Sequence, residues 1–132
     1  LDLGSKRIGV SICDERQSIA TPFKTLNKTN TNDLIDELKI IIEDNNIGGI
    51  IVGNPVNMDG SLGRSAQSVN DVASNISKSI DLPVILWDER LSTVGAFNLS
   101  SLLDVNVSKR VKTIDQNAAA FILQGAIDFL NN

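Results

Sequence analysis

The chain has 132 residues, of which 42% are hydrophobic and 21% charged, the profile of one folded domain over residues 1–132 and not of a disordered tract. Twelve Lys and Arg stand against sixteen Asp and Glu, a net charge of −4, so nucleic acid can be engaged only through a local basic patch. With no His and a single Cys13, Ser-His-Asp and Cys-His catalysis, most zinc sites, an internal disulfide and any Cys-x-x-Cys pair are excluded.

The chain opens at Leu1 inside an apparent strand, which predicts a few native residues before it. Leu1–Leu3, Ile8–Cys13 and about Ile19–Leu26 read as three strands running hairpin to hairpin, with Cys13 expected to be buried. From Asn32 the period changes. Leu34, Ile35, Leu38, Ile41 and Ile42 recur at helical spacing, and Asn45 or Asn46 is a suitable stop because Asn tolerates left-handed backbone. Ile47–Gly53 reads as a buried parallel strand, and Asn54–Gly63 as a turn-rich loop. Ala66, Val69, Val72, Ala73, Ile76 and Ile80 mark a second helix. Val84–Trp87 is another buried strand, and a further helix from about Ser92 carries Phe97, Leu99, Leu102 and Leu103. Asp104–Thr113 reads as a polar connection, and the last helix follows. The expectation is an α/β fold with a mixed five-stranded sheet, a three-stranded antiparallel meander plus two parallel strands, flanked by helices. No apolar run is long enough for a membrane span and no signal-peptide pattern is present, so a cytoplasmic protein without a membrane partner is expected.

The candidate chemistry lies in carboxylates. Asp2 stands just before the Gly4 turn. Asp88 and Glu89 follow the apolar run Val84–Trp87, at the carboxyl end of a predicted parallel strand, where open α/β sheets place ligand sites. Asp115 is read as opening the last helix, three and four residues before Ala118 and Ala119, on the side facing the sheet. Each acid alone has a plainer reading, as a solvent-facing strand residue, a helix-start residue or an N-cap. If they converge, their repulsion calls for a cation. Asp2, Asp88, Glu89 and Asp115 then form an all-oxygen set suited to magnesium or manganese, and two such ions about 4 Å apart can activate water for phosphodiester hydrolysis.

The loop holding Asn57, Asp59, Gly60 and Ser61 lies between a strand end and a helix start. It can cradle a phosphate or be an ordinary connection, and it is no P-loop, since Ser61 stands where Lys is needed. Lys6, Arg7, Arg90, Lys109, Arg110 and Lys112 lie close in sequence to the acids, supplying the local basic patch for nucleic acid; a solvated charged loop is the alternative for the last three.

Four stretches carry a resemblance. They are Leu1-Asp2-Leu3-Gly4-Ser5-Lys6-Arg7-Ile8-Gly9-Val10, Val52 to Ser61 with its Asn57-Met58-Asp59-Gly60-Ser61 run, Trp87-Asp88-Glu89-Arg90-Leu91-Ser92-Thr93, and Asp115 to Gln124. Together they resemble the YqgF/RuvX family of Holliday junction resolvases and pre-16S ribosomal RNA nucleases, essentially end to end, with Asn54 where that family more often has Leu. The resemblance implies a ribonuclease-H-like fold and a divalent-metal nuclease. It implies Asp2, Glu89 and Asp115 as catalytic acids, and precursor ribosomal RNA or branched DNA as substrate. A branched junction favours a homodimer, whereas an RNA end needs only a monomer. Two rivals remain: a catalytically silent nucleic-acid-binding module, and an actin-like or sugar-kinase-like phosphotransferase, whose phosphate turn Asp2-x-Gly4 also resembles but whose two-domain clasp exceeds this length.

Overall fold

The computed structural model describes residues 1–4, 6–54, 63–88 and 107–131, with 64–66 and 107–116 described by backbone alone. The elements are β1 (Asp2–Leu3), β2 (Arg7–Cys13), β3 (Ala20–Asn27), α1 (Thr31–Asn45), β4 (Ile50–Asn54), α2 (Arg64–Ser79), β5 (Val84–Asp88) and α3 (Val107–Leu130). This is an α/β arrangement with both antiparallel and parallel strands. The helix expected from Ser92 lies outside the described residues.

Local chemistry sets the ends of α1. Asn30 is its N-cap, its side chain accepting from the Asp33 backbone N–H at 2.9 Å, a bond worth about 1 kcal/mol. At the other end Asn46 adopts φ 53°, and its N–H donates to the Ile42 carbonyl. Ile47 still donates to Ile42 at 3.1 Å, so β4 begins at Ile50 and not at Ile47 as its apolar character predicts.

The last helix departs further from expectation. It begins at Val107, so the predicted polar connection through Thr113 is mostly helical, and Asp115 is the ninth residue of α3 and not its opening residue. The N-cap reading of Asp115 is thereby removed. Val107, Val111, Ile114 and Ala118 do follow helical spacing. That sparse stripe is the signal hidden beneath the intervening Lys and Arg.

In the antiparallel sheet β2 lies between β1 and β3, with Asp2 opposite Gly9, Leu3 opposite Ile8 and a bulge between Val10 and Ser11. The parallel pair β4–β5 aligns Gly53 with Trp87 and Asn54 with Asp88. Leu1 links the two sets of strands. Its N donates to the Ile51 carbonyl at 2.6 Å, and its carbonyl accepts from Gly53 N at 2.9 Å, the alternation of a parallel ladder.

Leu1, Ile8, Val10, Leu26, Ile50 and Val52 from the strands meet Leu34, Ile35, Leu38 and Ile41 of α1 and Val69, Ala73, Ile76 and Ile80 of α2 in one buried cluster. Alternation along the strands turns Gly9 and Gly53 to the opposite face. On that side α3 packs against β2 and β3 through Ala118, Ala119, Ala120, Ile122, Ala126 and Ile127, all buried. A Cβ at Gly125 would lie 3.3 Å from the Trp87 Nε1, so the missing side chain lets helix and indole come together.

Candidate active site

Asp2 is half-buried, at the end of the short β1. The turn beyond it depends on Gly4, where a Cβ would stand 2.7 Å from the Arg7 carbonyl oxygen. The Leu1 ladder sets Asp2 level with Gly53 and hence with Trp87. Asp2 therefore belongs to the face that α3 covers, where the Trp87 ring lies 5.7 Å from that of Phe129. Asp88, one residue past Trp87, is also half-buried but falls on the opposite face by the same alternation. The pleat thus sets Asp2 and Asp88 on opposite faces, while Glu89 lies outside the described residues and Asp115 is described by backbone alone.

Asp115 lies on the helix that packs over the Asp2 face, ten residues or about 15 Å of rise before Gly125. Ala118 and Ala119, three and four residues further on, are buried. Glu89, Arg90, Asn57, Asp59, Gly60 and Ser61 lie outside the described residues. Among the described residues, no three carboxylates, His or Cys come together as a metal-binding group.

Two polar features emerge whose setting the sequence alone does not reveal. The Asn54 Oδ1, at the carboxyl end of β4 beside Asp88, is buried with no hydrogen-bond donor among the described residues. Lys28 is the second: its backbone N–H donates to the Lys6 carbonyl at 3.0 Å, continuing the ladder past Arg7 and Asn27. Lys6 and Lys28, both exposed, thus stand side by side at the sheet edge that carries the Gly4 turn. Only the strand register reveals this, since the two lysines are 22 residues apart.

Lys109, Arg110 and Lys112 occupy the first six residues of α3, whose first turn contains no acid. Cations in a first turn, here Lys109 and Arg110, oppose the helix dipole, each at a cost of about 0.3–1 kcal/mol. Cys13 is half-buried, not fully buried as expected. Burial, and then the neighbouring Asp14 charge, still raise its thiol pKa, which disfavours the nucleophilic thiolate.

A family model described as RuvX, Holliday junction resolvase, matches residues 1–129. The chain belongs to the RuvX family. Relatives agree along their length. A Pelagibacter ubique (strain HTCC1062) protein provisionally named pre-16S rRNA nuclease is 98% identical over 132 residues, all of this chain and 87% of that protein. Proteins of the same provisional name from Rhodobacter capsulatus and Nitrobacter hamburgensis are 46% and 47% identical, each over 131 residues and 98% of this chain, covering 82% and 80% of theirs. Among the described residues of this RuvX-family chain, no helix is long and apolar enough to cross a membrane.

Proposed function

We propose that this chain is a nuclease that hydrolyses phosphodiester bonds in precursor ribosomal RNA, with Asp2, Glu89 and Asp115 as its catalytic acids. The observation that carries this reading is the place of Asp2: a half-buried carboxylate at a strand end, on the face covered by the helix that holds Asp115, in a chain matched by the family over residues 1–129. Glu89 follows Trp87 by two residues in the sequence, directly after the last residue of β5. The Leu1 ladder supports joining the strands as one five-stranded sheet of ribonuclease-H-like type.

The donors suit a hard divalent cation. No His and no second Cys offers a softer alternative, and the buried Asn54 Oδ1, without a donor among the described residues, is an oxygen of the kind such an ion accepts. Asp2, Glu89 and Asp115 would hold magnesium or manganese, with Asp88 and Asn54 near the strand ends. When bound, the ion supplies an acidified water and neutralises charge on the leaving oxygen. The chain's own part is to fix the carboxylates, accept the proton from the attacking water, and hold the backbone phosphates. For the last task we assign Lys6, Arg7, Arg90, Lys109, Arg110 and Lys112. Cations at the start of α3, disfavoured by the helix itself, are compensated when a phosphate lies against them. The loop with Asn57, Asp59, Gly60 and Ser61 is assigned to a substrate phosphate.

The test offers precursor ribosomal RNA and a four-way DNA junction to the protein with magnesium or manganese, comparing the parent with Glu89→Gln. Cleavage of the RNA should fall by about 100-fold or more, the usual scale for a group stabilising a transition state, with little change in binding. Turnover near the parent's removes Glu89 from the site. Cleavage of the junction alone moves the assignment to branched DNA.

A further inference from the structure

On the side of the Gly4 turn opposite Asp2 lies an open cleft of about 270 Å³. Its floor is apolar, formed by Leu3, Ile8, Leu34, Val69 and Val72. Its rim is polar, with Lys28, Thr29, Thr31 and Ser68 from the β3–α1 turn and the first turns of α2. Among the described residues, no carboxylate lines it. The nearby acid of α1, Asp33, is engaged by the capping groups, accepting from Thr29 Oγ1 at 3.0 Å and Asn30 Nδ2 at 3.1 Å.

We infer that this cleft receives one unpaired nucleobase of the substrate strand, while Lys28 and Lys6 hold the phosphates that flank it. The inference rests on the nuclease reading and adds a preference for single-stranded nucleic acid beside the cut. Three observations lead to the base and not to a phosphate. The floor is hydrocarbon, which favours a flat, weakly polar ring over an anion. The cation stands at the rim, beside Lys6, not at the bottom. Asp33 occupies the first turn of α1, where it repels an anion from that helix start. A base inside a duplex cannot enter such a cleft without leaving its stack, so an already unpaired strand binds at lower cost. Gly4 belongs to both sites, lining the cleft and standing two residues after Asp2. A strand crossing the turn therefore has its base on one side and the scissile phosphate towards the carboxylate.

The experiment measures binding by the full chain in chelator, so that cleavage does not intervene. The probes are a fluorescein-labelled single-stranded RNA dodecamer, the same strand with one abasic position, and its blunt duplex. The parent is expected to bind the single strand more tightly than the duplex. Ser68→Trp, placed on an exposed rim position, should fill the mouth and weaken single-strand binding by about fivefold or more, as expected when apolar burial of a ring is lost. Duplex binding should stay unchanged. Lys28→Ala, which disturbs no packing, should flatten the salt dependence by about 0.7 log units, one phosphate on a single strand. Equal affinity of the parent for single strand and duplex overturns the inference, as does Ser68→Trp binding the single strand like the parent. If the parent cleaves RNA while Ser68→Trp binds normally, the cleft assignment falls and the nuclease reading stands. If the Ser68→Trp loss appears but nothing is cleaved, the nuclease reading falls alone.

Discussion

The two faces of the strands are built from different materials. Towards α1 and α2 the buried residues are Ile, Leu and Val, with Ala73 the small exception. Towards α3 they are chiefly Ala, with Ile122 and Ile127, and Gly125 is set against an indole. Each fully buried aliphatic side chain contributes about 1.5–3 kcal/mol, against far less for Ala. The first face therefore supplies most of the stability. The second gives up burial so that a helix backbone can approach the strands closely, and that helix carries Asp115. One face is built for stability and the other for placing chemistry.

Substitutions on the two faces should therefore fail in different ways. Ile76 is fully buried on the first face. Ile76→Ala should cost about 2–5 kcal/mol, measured by urea unfolding, yet leave turnover per folded molecule near the parent's below the melting transition. A loss of turnover in excess of the unfolded fraction would break the division between the faces.

Asp115→Asn should do the opposite. In chelator it removes one repelling charge and should melt at or above the parent temperature. The parent should gain about 2.7 kcal/mol from a divalent ion at one hundred times its dissociation constant. The variant should gain much less. Equal magnesium-induced shifts in both, with sodium matching ionic strength, would leave Asp115 outside any metal site.

Gly125→Ala tests the close approach itself. Ala favours a helix interior by about 1 kcal/mol over Gly, but its Cβ would meet the Trp87 indole at 3.3–3.5 Å. The half-buried indole must shift by a few tenths of an ångström against Phe129, so overpacking should more than offset the helix gain and the net loss should be about 1 kcal/mol. Trp87→Phe removes both the clash and a buried N–H that has no acceptor among the described residues. It should rescue Gly125→Ala in a double-mutant cycle. Strict additivity would show that the two residues do not compete for space.

The same contrast explains what the sequence disclosed. The first face was legible because each signal is local: the spacing Leu34, Ile35, Leu38, Ile41, and two Asn residues that cap α1 through bonds three and four residues long. The α3 face was harder. A helix start whose apolar residues are separated by Lys109, Arg110 and Lys112 reads as a polar loop, because periodicity weakens when the stripe is narrow. Asp2, Asp88 and Asp115 were recognisable as acids near strand ends or on a helix. The pleat that divides Asp88 from Asp2 depends on the Leu1–Ile51 and Gly53–Leu1 bonds, which no short-range pattern encodes. Lys28 escaped for the same reason, since register alone brings it to Lys6.

The smallest effect concerns how the far end of α3 is anchored to the β2–β3 turn. Gln124 Oε1 accepts from Ala20 N at 2.9 Å, Gln124 Nε2 donates to the Ser18 carbonyl at 3.0 Å, and Asn131 Nδ2 donates to the Gln17 carbonyl at 3.0 Å. These partners are presented by a turn that Asp14 organises. Its carboxylate accepts from Ser18 N at 2.8 Å, Ile19 N at 3.0 Å and Ser18 Oγ at 2.8 Å. The Ile19 N–H bond, then those from the Ser18 N–H and hydroxyl, lower its pKa from 3.8 to about 2. Because the folded value lies below the unfolded one, the ionised form favours the fold. That contribution is complete above the unfolded value of 3.8 and is lost as pH falls from there to about 2. Solvent screening at this exposed turn keeps it small. Asp14→Asn should therefore lower the urea midpoint slightly at neutral pH, and the difference from the parent should close on acidification through that window. The Gln124 side-chain amide resonances should shift in the variant at neutral pH, since the carbonyl they address is no longer fixed. An equal gap between parent and Asp14→Asn at every pH would assign the turn to backbone geometry, including the positive φ of 54° at Gln17, and not to the carboxylate charge.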